Sequence, residues 1–233
     1  MKNLINILLL CSTTINMVAA QKLIQAMRTQ DNIKIDGHFD EEVWQNDLDV
    51  ATDFTSLVPI PNQRPRVPTE VRVLYDDEAI YISAFMTEYS DSLRRELSIR
   101  DDAGNNADFF GVIIDAYGNG TNALEFIVTS SNVQLDTKIG INFGDGSWDA
   151  VWESAVNIHE KGWNVEIKLP FAALRFPKKA IQSWNINFSR YRVVDGSFQA
   201  WNNVDFEQNN AWLTMMGKLE GCLLYTSPSP RDS

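Results

Sequence analysis

Apolar and polar residues alternate with a period of two along most of this chain, which predicts strands rather than helices. The clearest instance is Asp108–Thr129. There Phe110, Val112 and Ile114 alternate with Phe109, Gly111 and Ile113, so both faces of the first strand are apolar, as in a strand covered on both sides. Gly118-Asn119-Gly120 supplies residues that accept a tight reversal, and Leu124, Phe126 and Val128 resume the alternation against Glu125, Ile127 and Thr129.

The same period predicts strands at Thr69–Tyr75, Ala79–Met86, Val133–Ile141, Val151–Ile158, Trp163–Leu169, Trp184–Tyr191, Ser197–Asn202 and Leu213–Leu219, with an edge strand within Gln21–Ile35. Asp40–Trp44 reads as one helical turn with acidic residues at its start, and Pro170 as the first residue of a second, Phe171–Phe176. Pro59, Pro61, Pro65 and Pro68 make Phe54–Pro68 an extended loop. The result is an all-β chain, an antiparallel β-sandwich of jelly-roll or immunoglobulin-like type with about nine or ten strands and two short helices. Trp44, Trp163 and Trp184 fall on its core by phase.

Composition adds an address and a charge. Lys2, the apolar run Leu4–Val18 and the small residues Val18-Ala19-Ala20 read as a cleaved signal peptide over residues 1–20, too short for a comfortable membrane span. The chain is therefore expected to be exported. One domain follows over residues 21–221, and residues 222–233, rich in Ser and Pro, read as an artefactual or disordered tail, with the natural chain continuing beyond Gly221. The formal net charge of −11 becomes −12 once the segment bearing Lys2 is removed, which disfavours nucleic acid and anionic membranes as partners.

Six segments in order, Ile35–Trp44, Thr69–Ala84, Asp108–Gly120, Trp148–Ser154, Gly162–Phe176 and Trp184–Arg192, resemble the carbohydrate-binding module family 9-like domain. More narrowly they resemble the version at the N-terminus of large bacterial outer-membrane proteins. The resemblance covers Ile35 to Gly221. It implies a β-sandwich, export, polysaccharide or oligosaccharide as ligand, carbohydrate catabolism as context, and a membrane barrel as the C-terminal remainder of the same chain. In sugar-binding members two tryptophans clamp a terminal sugar and a strand arginine reads hydroxyls. Here Asn105 and Asn106 stand at the first clamp, Ile127 at the arginine, and Trp212 at the second clamp.

The candidate carbohydrate-binding residues are thus Trp212 and Trp201 as stacking platforms, with Asn209 and Asn210 beside them, and Arg100 and Asp108 from the polar cluster next to the central hairpin. Core or rim packing of the tryptophans, and an Arg–Asp pair that only fixes a loop, are the competing readings. No catalytic constellation is visible. A glycoside hydrolase acting on O-glycosyl bonds would need two facing acids among Asp101, Asp102, Asp108 and Glu125. Asp115 with Asn119 and Asp145 with Asp149 offer oxygen ligands for a structural Ca2+, or else cap turns. A third alternative is a plug or docking domain for the barrel, without a sugar ligand.

Overall fold

The computed structural model describes residues 21–102, 106–140 and 143–222; the signal segment, Asn105 and the tail from residue 223 lie outside the described residues. Among the described residues fourteen strands form two sheets. In chain order they are β1 (Leu23–Gln25), β2 (Met27–Arg28), β3 (Thr55–Val58), β4 (Thr69–Tyr75), β5 (Ala79–Thr87), β6 (Phe109–Asp115) and β7 (Ala123–Thr129). They continue with β8 (Gln134–Gly140), β9 (Phe143–Asp145), β10 (Glu153–His159), β11 (Gly162–Pro170), β12 (Trp184–Arg192), β13 (Ser197–Ala200) and β14 (Gly217–Glu220). The larger sheet runs β1-β14-β12-β6-β7-β8-β9, with β13 and β3 attached at β12, and the smaller runs β10-β11-β5-β4-β2.

The all-β sandwich is as the period of two predicts, with three differences. The extra strands are short pieces in segments that lack a long alternation. The sheets are mixed, because β1 pairs parallel to β14 and β2 parallel to β4, so the leading segment crosses from one sheet to the other within six residues. Pro170 ends β11 opposite Ala79, and a plain turn follows in place of a helix. The helical content is instead 3-10: a single turn at Glu42–Gln45 and a longer helix at Phe206–Met215 that takes up the first residues of the strand expected at Leu213–Leu219.

The two inner faces meet in one core. Phe110, Val112, Ile114, Phe126, Trp184, Ile186 and Phe188 of the larger sheet pack on Val73, Ile82, Ala84, Trp163, Val165 and Ile167 of the smaller. Each such side chain contributes about 1.5–3 kcal/mol by leaving water. Cys222, placed by composition in the tail, is buried in this core, and burial pushes its thiol up to about 12. Its carbonyl accepts a hydrogen bond from Gln182 N–H (3.0 Å).

Two smaller clusters cover the outer faces. On the smaller sheet, Ile33, Val43, Trp44 and Leu48 pack on Leu74 and Tyr81, so Trp44 is buried over an outer face rather than in the core between the sheets. The Ile35-Asp36-Gly37 turn is held there by Glu166, whose Oε2 accepts N–H bonds from Asp36 (3.0 Å) and Gly37 (2.8 Å). On the larger sheet, Val204, Trp212, Leu213 and Met216 pack on Ile113 and Ala123.

Candidate functional site

Alternation along β6 settles which residues face outward. Phe110, Val112 and Ile114 point into the core, so Phe109, Gly111 and Ile113 share the outer face. The register carries that face across the sheet: Tyr191 lies opposite Phe109, Ser189 and Ile127 opposite Gly111, and Glu125 opposite Ile113.

A run of aromatic rings crosses this face. Phe109 stacks on Tyr191 with centroids 5.4 Å apart and meets Phe198 at 6.3 Å. Phe198 meets Phe206 at 6.1 Å, and Phe206 stands edge-on to Trp212 at 5.0 Å. Tyr191, Phe109 and Phe198 are half-buried, Phe206 is 47 % exposed, and Trp212 only 8 %. Strands β6, β12 and β13 fix three of these rings, and the 3-10 helix brings the fourth over them.

Among the described residues two polar groups on this face lack protein partners: Ser189, two residues from Tyr191, and Glu125, opposite Ile113 and four residues along β6 from Phe109. The Ser189 hydroxyl is buried and unpaired, seated above Gly111, where an added Cβ would lie 2.5 Å from its oxygen. Glu125 has neither an ion pair nor a hydrogen bond among the described residues, and burial alone raises its carboxyl to about 7. Exposed ring faces suit the C–H face of a flat ligand, and an unpaired carboxyl on the same face of the sheet suits a hydroxyl donor.

The residues singled out in the sequence fall elsewhere or play supporting parts. Trp201 belongs to the core at 3 % exposure, 5.5 Å from Phe188, and offers no ring face to solvent; this corrects its reading as a stacking platform. Trp212 sits before the last strand as expected, but its ring closes the outer cluster and backs Phe206. The side chains of Asn209 and Asn210 lie outside those described.

Arg100 and Asp108 do not form one cluster. Arg100 pairs with Asp136 and Asp149 (2.9 Å to the latter) and donates to the Ala150 carbonyl (3.2 Å). Asp136 also accepts from Trp152 Nε1 (3.0 Å) and Ala150 N–H (2.8 Å), so the set anchors the 148–152 loop on β8. Asp108 points into the sandwich, fully buried; among the described residues Val193 N–H (2.9 Å) alone reaches Oδ1 and nothing reaches Oδ2. Burial raises it to about 6 against the pull of that N–H. Asp108 and Glu125 are thus on opposite faces of the sheet and do not confront each other across a cleft.

Near Asp108 lies an ion cluster that sequence reasoning missed. Arg190, fully buried, bonds Glu88 (2.9 Å), the Thr87 carbonyl (2.8 Å), the Pro68 carbonyl and Thr69 Oγ1 (both 3.2 Å), tying the sheets together. Arg192 grips both oxygens of Glu88 (2.6 and 2.9 Å). Burial works to raise the Glu88 carboxyl, but the Arg192 bonds hold it below the usual value. Alternation along β12 carries Arg190 and Arg192 on from the inward set Trp184, Ile186 and Phe188, at positions where an apolar residue is the rule.

The oxygen-rich turns are capped by the protein itself. Asp115 accepts N–H bonds from Tyr117 (3.1 Å), Gly118 (2.9 Å) and Gly120 (2.7 Å) and the Asn185 amide (2.9 Å). Asn119 takes Thr121, Asp145 takes Ser147, and Asp149 takes Arg100. Among the described residues no group of three His, Cys, Asp or Glu side chains is placed to hold a metal ion.

Comparison with known proteins locates the chain. Residues 35–215 match the family described as carbohydrate family 9 binding domain-like. No curated protein matches. A family 9 carbohydrate-binding module from Caldicellulosiruptor kristjanssonii, solved with cellotriose, is similar in fold: TM-score 0.59 at 15% identity, covering 90% of this chain and 97% of that one. The same organism's module with glucose gives 0.61 at 14%, covering 90% and 100%. A Bacteroides uniformis protein crystallised as a candidate carbohydrate-binding protein gives 0.65 at 12%, covering 86% and 99%.

Proposed function

The chain belongs to the carbohydrate family 9 binding domain-like family, and from that premise we propose that it is a carbohydrate-binding domain whose ligand lies on the outer face of the larger sheet. The aromatic run Tyr191–Phe109–Phe198–Phe206 carries the reading, with the unpaired Glu125 further along the same face, opposite Ile113. A pyranose ring stacks its C–H face on Phe206 and Phe198, and Glu125, further along the face, accepts a hydrogen bond from a hydroxyl of a neighbouring sugar unit. Trp212 holds Phe206 in place from behind.

Binding without hydrolysis is the favoured activity, because Asp108 is directed into the sandwich while Glu125 faces outward. Export to a bacterial envelope, as the N-terminal part of a larger protein, is part of the same proposal and draws on the apolar leader and the motif resemblance. Electrophoresis of the chain through gels containing soluble polysaccharides, β-glucans among them, tests it. Retardation by at least one polysaccharide is expected, with affinity lowered about tenfold by Phe206→Ala and by Glu125→Gln. Free migration in every gel, or retardation that both variants leave unchanged, would refute the site.

A further inference from the structure

At the turn end of the β6–β7 hairpin the sandwich opens into a cavity of about 370 Å3, within the range of small-molecule sites. It lies on the opposite side of the larger sheet from the aromatic run. Its floor is apolar, Ile114 and Leu124 from neighbouring strands. Its walls are Trp148 and Tyr117, the latter 55 % exposed. Its rim carries Lys138 and Arg175, both exposed.

Three features set it apart from incidental surface. Among the described residues the cavity is lined by two cations and by no carboxylate, on a chain with 31 acidic and 20 basic residues. Among the described residues neither cation forms an ion pair. Asp145, which stands across from Lys138 in the β8–β9 register, turns its carboxylate onto Ser147 N–H and Oγ (3.0 and 2.6 Å). The wall is also preformed. Trp148 sits edge-on to Phe126 at 6.0 Å, and its loop is held by the Arg100–Asp149 pair and the Ala150–Asp136 bond.

We propose that this cavity is a second ligand site, for the uronic-acid residue of an acidic saccharide. The sugar ring lies against Trp148 and Tyr117, and its carboxylate is shared by Lys138 and Arg175. The saccharide class rests on the reading above; the charge preference rests on this cavity alone.

Calorimetric titration of the full chain with cellobiouronic acid and with cellobiose, which differ by one carboxylate, tests it. The acid should bind about tenfold more tightly than its neutral twin, with the difference shrinking in about 0.5 M salt. Lys138→Gln/Arg175→Gln should abolish the difference, and Tyr117→Ala, an exposed change that spares the core, should weaken the acid. Phe206→Ala should weaken cellobiose while the acid keeps its binding to the cavity. Equal affinity for the two sugars, or a preference that survives the double variant, overturns the proposal. Loss of cellobiose binding in Phe206→Ala with uronate binding retained supports both sites. Uronate binding that depends on Lys138 and Arg175, with cellobiose unbound throughout, would sink only the outer-face reading.

Discussion

Glu166 permits a prediction whose size follows from its surroundings. The residue is fully buried, its Oε2 accepts the Asp36 and Gly37 N–H groups, and its Oε1 has no partner. Burial lifts its carboxyl from the usual 4.5 to about 7, more than the two N–H bonds pull it down. Below pH 4.5 the folded and unfolded chains both hold the proton, and this group contributes no slope. Between 4.5 and 7 the unfolded chain releases the proton while the folded one keeps it. The unfolded state then binds fewer protons, so stability falls as pH rises, and the loss is complete above about 7. That interval corresponds to about 3 kcal/mol at 1.36 kcal/mol per pH unit. Glu166→Gln keeps an acceptor for the two N–H groups and removes the titration. It leaves an unpaired buried amide, whose cost does not vary with pH.

Urea unfolding of both proteins at intervals from pH 4.5 to 7.5 gives the comparison. The variant should gain on the parent by about 3 kcal/mol across that range. Asp108 and Glu125, also raised, tilt both profiles alike and cancel in the difference. Parallel profiles would show that Glu166 is ionised in the fold and that the argument from burial fails.

Two other substitutions probe the frame. Arg190→Met strands Glu88 with Arg192 alone and leaves the Pro68 and Thr87 carbonyls without this donor; a loss of roughly 3–5 kcal/mol in denaturant unfolding is expected, and a loss below about 1 kcal/mol would mean the buried cluster is energetically neutral. Gly37 has φ +82, and a Cβ there would stand 2.8 Å from the Asn157 nitrogen, so Gly37→Ala should cost on the order of 1–3 kcal/mol, read as a lowered melting temperature; an unchanged one would show that the turn can shift away.

The central hairpin was legible because two local signals agree: alternation on both arms and glycines at +67 and +69 in the turn. The 3-10 helix was not. Phe206–Met215 has no period, and Leu213 looked like the start of the strand that begins at Gly217. Pairing was equally hidden. Nothing local tells Met27 and Arg28 to lie beside Leu74 and Tyr75, or Leu23 beside Lys218.

The candidate site suffered most from this. Its rings come from three strands and the helix, so they become neighbours only once the β12–β6 and β12–β13 registers are known. Single tryptophans are the visible signal in the sequence instead, and Trp201 is core because its ring packs against Phe188. Arg100 and Asp108 are eight positions apart, yet strand phase sends Asp108 inward while Arg100 stays on the loop.

The parallel pairing of β1 with β14 also has a mechanical side. Leu23 lies beside Lys218 and Gln25 beside Glu220, with Lys218 N–H bonded to the Lys22 carbonyl and Ala26 N–H to the Glu220 carbonyl. Tension applied between residues 21 and 222 pulls these two strands past each other along their length. Their hydrogen bonds are loaded together in shear and give way as a set, where an antiparallel terminal pair would peel apart one bond at a time. The seam between first and last strands is therefore a force-bearing clasp, and a domain closed this way can be tethered at both ends without unravelling from either.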